Sequence, residues 1–178
     1  VYTDDDVYIV TVEELGDDVE VLFLKESKSR FSGIIRSEQL VSDYYEQGST
    51  NFIVETQYLN GVKNGLHEMR NEKNGVLALA GYYRNGLRDS LWTSYYPNGK
   101  PKEQGLCKND KKHGWEKEFY ETGNISSEVT NNKGRWDGEA KFYYPNGSLS
   151  KVSQYKNGRP VTNSEICYDE SGNEIPCD

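Results

Sequence analysis

The sequence predicts an all-β chain, an elongated antiparallel meander of stacked β-hairpins forming a single twisted sheet. Three observations carry this expectation. Turn signals built on Asn and Gly recur at a fixed interval, and the segments between them are strand-length and rich in Tyr, Phe, Trp, Val and Thr. No apolar period of the helical kind is sustained anywhere.

The interval is 24 residues, and three markers keep its phase. Units open at Gly65-Leu66-His67, Ser90-Leu91-Trp92, Gly114-Trp115-Glu116 and Gly138-Glu139-Ala140. A turn glycine follows in each, at Gly75, Gly99, Gly123 and Gly147, and a second turn comes at Asn85-Gly86, Asn109-Asp110, Lys133-Gly134 and Asn157-Gly158. In the last three units an aromatic pair precedes the first turn: Tyr95-Tyr96, Phe119-Tyr120 and Tyr143-Tyr144. Asn-Gly supplies the positive φ angles that a tight hairpin turn requires.

Taken from the N-terminus, residues 1–20 lie outside the repeat and read as a capping hairpin. Val7–Val12 is its first strand, Gly16-Asp17-Asp18 its turn, and Val19–Leu24 the returning strand. An uncovered edge invites aggregation, so this hairpin is expected to extend the array and cover its first edge. The array proper spans 21–161. Its first unit is degenerate, opening near Phe31-Ser32-Gly33, with its pair at Tyr44-Tyr45 and turns at Gly48 and Asn60-Gly61. Strand alternation puts Ala140, Phe142 and Tyr144 on one face and Lys141 and Tyr143 on the other. Leu77, Pro101, Ile125 and Leu149 form an apolar column after the first turn. Residues 162–178 are a degenerate C-terminal cap, with Cys167-Tyr168 at the aromatic position and a turn at Gly172. Cys167 and Cys177 flank Gly172 symmetrically, so a turn at Ser171-Gly172-Asn173 places them opposite each other, within reach of a disulfide. The alternative is a pair of reduced thiols. Cys107 is left over as a small strand residue.

Composition agrees with a thin sheet. Hydrophobic residues make up 34% and mean hydropathy is -0.88, yet aromatics reach 12%, with 14 Tyr. Disordered chains lack aromatics, and Tyr packs its ring while keeping its hydroxyl wet. The net charge of -8 argues against nucleic acid and disfavours anionic lipid. No apolar run reaches the length of a membrane span. The chain opens on Val1 rather than Met, which leaves room for a signal peptide upstream.

Chemistry is hard to find. The histidines are His67 and His113; Cys107 with His113 makes a nucleophile pair on paper, but no third group orients it. There is no Cys-x-x-Cys or His-Glu-x-x-His spacing for a metal. Asp4-Asp5-Asp6 offers oxygen ligands to a hard cation, but a solvated acidic terminus is the commoner reading. Asn124-Ile125-Ser126 and Asn146-Gly147-Ser148 match the glycosylation pattern, but both asparagines sit where a turn already explains them. No catalytic, cofactor-binding or metal-binding residue is expected.

The runs Trp92-Thr93-Ser94-Tyr95-Tyr96-Pro97-Asn98-Gly99 and Tyr143-Tyr144-Pro145-Asn146-Gly147, with Tyr155-Lys156-Asn157-Gly158 and Lys112-His113-Gly114-Trp115, resemble the bacterial variant of the MORN repeat. The resemblance covers about 22–161. It implies stacked β-hairpins and a binding rather than a catalytic role. Many bacterial members carry the label of toxin–antitoxin system antitoxin, and the tail from Cys167 to Cys177 is similar to those of exported members.

What remains is surface. Trp92, Tyr95, Tyr96, Trp115, Phe119, Tyr120, Trp136, Tyr143 and Tyr144 are the candidate binding residues, because exposed Tyr and Trp rows are typical of protein-binding surfaces. The competing reading makes them cross-strand pairs that stabilise the sheet. The expectation is a non-enzymatic interaction module, extracytoplasmic (periplasmic, surface or secreted), binding a protein or glycan. The alternatives are a cytoplasmic antitoxin that occludes a basic toxin, and a lipid-surface binder.

Overall fold

The computed structural model describes residues 3–14, 17–25, 27–41 and 50–177. Apart from one 3-10 turn at Asp4–Asp6, its regular structure is all strand: β1 (Val7–Glu14), β2 (Asp17–Leu24), β3 (Gly33–Val41), β4 (Thr50–Leu59), β5 (Val62–Asn71), β6 (Leu77–Arg84), β7 (Leu87–Tyr95), β8 (Pro101–Lys108), β9 (Lys111–Phe119), β10 (Ile125–Asn132), β11 (Arg135–Tyr143), β12 (Leu149–Lys156), β13 (Arg159–Pro160), β14 (Ile166–Tyr168) and β15 (Glu174–Ile175). From β3 to β12 each strand is hydrogen-bonded to its sequence neighbours in one open sheet of 13 strands; β14 and β15 continue it, and β13 pairs with β12. Consecutive hairpins are what the 24-residue punctuation requires.

Two kinds of turn alternate. Asn60-Gly61, Asn85-Gly86, Asn109-Asp110, Lys133-Gly134 and Asn157-Gly158 have positive φ at both residues, the two-residue turn whose twist matches that of the flanking strands. The other kind is a three-residue loop. Gly99 N donates to Tyr96 O and Tyr96 N to Lys100 O, both at 2.8 Å, and the pattern repeats at Tyr120–Asn124, Tyr144–Ser148 and Asp169–Asn173. Its last residue is a glycine at positive φ, such as Gly99 at 82°.

The unit openings are bulges. Thr56 faces His67 and Tyr58 faces Lys63, so Asn64, Gly65 and Leu66 together oppose Gln57. The same three-against-one arrangement sets His113–Trp115 opposite Leu106 and Asp137–Glu139 opposite Thr130. The middle residue has positive φ, 113° at Gly65, 97° at Gly114 and 127° at Gly138; Ser90 occupies the equivalent place at 62°. A Cβ at Gly65 would lie 2.2 Å from Gln57 Oε1 and 3.0 Å from Gln57 Cβ, so the Gln57 side chain would have to shift, and with it the bond its Oε1 accepts from Leu66 N at 2.9 Å.

The chain forms two compact units, Val1–Ser90 and Leu91–Asp178. In the first, Val7, Phe31 and Ile35 are buried together, with Leu24 and Tyr58 against them. Phe31 meets the Tyr58 ring edge-on at 6.0 Å. The N-terminal hairpin departs from expectation here. β1 and β2 form a two-stranded sheet of their own and do not extend the array. Val7 and Leu24 join the Phe31 cluster, so the hairpin's link to the array includes apolar packing. Asp17 and Asp18 also belong to β2, facing Glu14 and Glu13, rather than to the turn. Gly16, Tyr44, Tyr45 and Gly48 lie outside the described residues.

In the second unit the buried row is made of small and polar side chains. Gly105, Glu116, Val129, Ala140 and Ser153 face one another directly across five strands, and all five are buried. Phe142, beside Ala140 on the same face, packs against Trp136, which in turn meets the Tyr155 ring edge-on at 4.9 Å. Leu77, Pro101, Ile125 and Leu149 each begin a strand and are half-buried. At the C-terminus Cys167 and Cys177 are joined by a disulfide, with Cα atoms 5.4 Å apart. They are not directly opposed: Cys167 faces Ile175. The loop closes between Asp169 and Asn173, so Gly172 is its last residue and not its centre, which shifts the register by two.

Candidate interaction surface

The aromatic pairs do two different jobs. The second member of each donates its phenol hydroxyl to a backbone carbonyl of the next unit. Tyr96 reaches Phe119 O at 2.6 Å, Tyr120 reaches Tyr143 O at 2.7 Å, and Tyr144 reaches Tyr168 O at 2.8 Å. The turn asparagines add a parallel set, with Asn98 Nδ2 donating to Glu121 O at 3.1 Å and Asn124 Nδ2 to Pro145 O at 2.8 Å. These groups bind the repeats to one another. The signal for this was present in the sequence: the second position is Tyr in all three units, whereas the first admits Phe at Phe119.

The remaining candidates separate by exposure. Trp92 is buried at 9%, and Trp136 is half-buried between Phe142 and Tyr155. Tyr95, Phe119 and Tyr143 are half-buried. Trp115 is 39% exposed; it faces Thr130, on the side of the sheet away from the buried row. That outer face carries the cross-strand line Gln104, Lys117, Glu128, Lys141 and Val152. Lys117 Nζ pairs with Glu128 at 2.6 Å, and Tyr143 donates to the same carboxylate at 2.9 Å. The lysine contact holds the Glu128 carboxyl below its ordinary range. Burial, with help from Glu128, pushes the Tyr143 phenol up to about 12.

On the inner face the carboxylates of Glu103, Glu116 and Glu118 lie within 4.8 Å of one another, the one group among the described residues with metal-like convergence. Lys112 already serves them as the cation. Its ammonium pairs with Glu103 at 2.7 Å and with buried Glu116, whose other oxygen accepts from Asn131 Nδ2 at 2.6 Å. Burial works against the charge on Lys112, but the two carboxylates outweigh it and hold the group above the usual lysine range. A buried carboxylate satisfied in this way is a structural device of the strand register.

Other residues singled out in the sequence have local roles. Cys107 is buried on that inner face opposite Lys112, while His113 sits exposed in the bulge. Asp6 accepts from the Thr3 N–H and hydroxyl at 2.9 and 3.0 Å, which holds its carboxyl low. His67 accepts or donates at Nδ1 with the Thr56 hydroxyl at 2.7 Å and meets the Tyr83 ring edge-on. Burial, with Lys63 nearby, lowers its pKa to about 4.

With this geometry in view, comparison with known proteins gives one family. Residues 88–109, 112–130 and 136–157 match the MORN repeat variant. These MORN-matched segments fall on β7–β8, β9–β10 and β11–β12, one per 24-residue unit. No curated protein shows significant sequence similarity to the chain. Two solved structures with local likeness are of TarM. One is a mutant of the S. aureus protein in complex with Fondaparinux, alpha-GlcNAc-glycerol and UDP, at 14% identity and TM-score 0.37; the other is at 13% and 0.37. They cover 56% and 57% of this chain, which spans 20% of theirs. Likeness at this level carries no functional argument.

Proposed function

We propose that this chain is a non-enzymatic, exported interaction module that binds a protein or glycan along the aromatic-bearing outer face of its MORN-like hairpins. The observation that carries the reading is the division of labour among the aromatics. The phenols of Tyr96, Tyr120 and Tyr144 are committed between repeats, while Trp115 stands exposed on a face of alternating charge. An exposed Trp within a polar surround is the composition of a binding hot spot. MORN repeats as a family are generally non-enzymatic, which agrees with this. Export is supported by the Cys167–Cys177 disulfide, since such bonds persist in oxidising compartments. The test is affinity capture from the native surroundings with the intact chain and with Trp115→Ala, comparing bound proteins and glycans. A species retained by the first and lost with the second is the expected result. Identical captures by two equally well-folded baits would overturn the reading.

A further inference from the structure

The two-residue turns of the second unit carry a cationic row. Lys108 faces Lys111, and Lys156 faces Arg159, in hairpins 48 residues apart in sequence; between them Arg135 faces Asn132. Alternation from Leu106 places Lys108 on the Trp115 side of the sheet, away from buried Cys107. Lys111, Arg135 and Arg159 are the same position of successive units. Their turns stack: a Cβ at Gly134 would sit 3.9 Å from Lys111 Cβ, and one at Gly158 3.7 Å from Arg135 Cβ. Gly134 N donates to Lys112 O and Gly158 N to Trp136 O, both at 2.7 Å, so the row is set by backbone hydrogen bonds.

Like charges directly opposed across a hairpin are destabilising. Two of three consecutive turns nevertheless keep such a pair. Of these cations Lys156 is bonded to Asp137 at 2.9 Å; Lys108, Lys111, Lys133, Arg135 and Arg159 are exposed and have no side-chain partner among the described residues. Within residues 108–111, 132–135 and 156–159 the one acid is Asp110, against Lys108, Lys111, Lys133, Arg135, Lys156 and Arg159. Residues 1–20 hold eight Asp and Glu and no Lys or Arg, which accounts for the whole net charge of -8. The rest of the chain is balanced, and the turn row is a local excess of cations within it.

We propose that this row binds an extended acidic polypeptide with a carboxylate at every third residue. Successive units advance by two strands, about 9.5 Å. A polyproline-II segment advances about 9.3 Å in three residues, so its every third side chain meets one unit. The flexible stems of Lys and Arg absorb the twist between units. A preformed extended ligand loses little entropy on docking, and its carboxylates relieve the repulsion within the Lys108–Lys111 pair and pair with Arg135 and Arg159.

This rests on the reading of the chain as an interaction module, and names the partner's chemistry. The test is fluorescence anisotropy with the intact protein and two labelled peptides of equal charge, Glu-Pro-Pro-Glu-Pro-Pro-Glu-Pro-Pro and Glu-Glu-Glu-Pro-Pro-Pro-Pro-Pro-Pro. The spaced peptide is expected to bind at least about tenfold more tightly than the clustered one. Arg135→Glu, a surface change whose folding is checked by circular dichroism, is expected to remove about tenfold or more of that affinity. Equal affinity for both peptides, insensitivity to Arg135→Glu, or tighter binding of an oligothymidylate of matching length would each overturn the proposal. Failure here with Trp115-dependent capture intact defeats only the acidic-peptide assignment; failure of both defeats the interaction module itself.

Discussion

Replacing Tyr120 with phenylalanine removes one oxygen and leaves the ring in place. The lost group donates to Tyr143 O at 2.7 Å, and both residues are half-buried. A hydrogen bond of this kind contributes about 1 kcal/mol net, and the carbonyl left behind is shielded from full hydration by the neighbouring strands. For a chain of this length about 1 kcal/mol lowers Tm by about 2–4 °C. Tyr96 and Tyr144 make the equivalent bond one unit away on either side, roughly 9.5 Å off, far enough for the effects to add. The triple variant Tyr96→Phe, Tyr120→Phe, Tyr144→Phe is therefore expected to lose about 3 kcal/mol. Urea unfolding followed by circular dichroism measures this, with the slope unchanged because the exposed area is the same. A triple variant with the parent's midpoint would refute the claim that these phenols hold the repeats together.

The remaining expectations concern local features. Ser90→Gly relieves a positive φ of 62° at a place where three other units use glycine, and Lys133→Asn puts the turn residue of the other four two-residue turns at φ 51°. Each should raise Tm, by about 0.5–1 kcal/mol of added stability in thermal melts. The Ser153 hydroxyl is fully buried with no hydrogen-bond partner among the described residues, so Ser153→Ala should stabilise by about 1 kcal/mol, read the same way. His67, whose folded pKa is depressed to about 4 from 6.5, contributes stability that is intact above the unfolded value and lost as pH falls from 6.5 towards 4. The urea midpoint should drop across that window, and His67→Asn should flatten the drop. Reducing the Cys167–Cys177 bond, which closes a loop of sequence separation 10, should cost at most about 3 kcal/mol and loosen β14 and β15 first, as hydrogen exchange of Tyr168 and Glu174 would report.

Strand positions and both turn families were legible in the sequence because they depend on backbone conformation, which Gly and Asn report directly. Bulges were not. Gly65, Gly114 and Gly138 looked like unit openings, and nothing in a one-dimensional pattern says that three residues will face one. The same blindness to register misplaced the cysteines: symmetry about Gly172 suggested direct opposition, but the loop is closed by Asp169 and Asn173. The N-terminal hairpin was legible as a hairpin and not as a separate sheet, since its docking depends on Phe31, Ile35 and Tyr58, which follow it in the chain. For the surface, the aromatic pairs drew attention that the phenol bonds of Tyr96, Tyr120 and Tyr144 partly explain away. The turn cations were visible in the sequence, but their shared face emerges only from the pairing of Lys108 with Lys111 and Lys156 with Arg159.

Nuclear Overhauser contacts across the middle strands test the account most directly. Val129 should show cross-strand contacts to both Glu116 and Ala140, and Ala140 in turn to Ser153, as in-register antiparallel neighbours. Contacts from Val129 to residues three and four away along the chain, or to a partner displaced by one from Ala140, would contradict it.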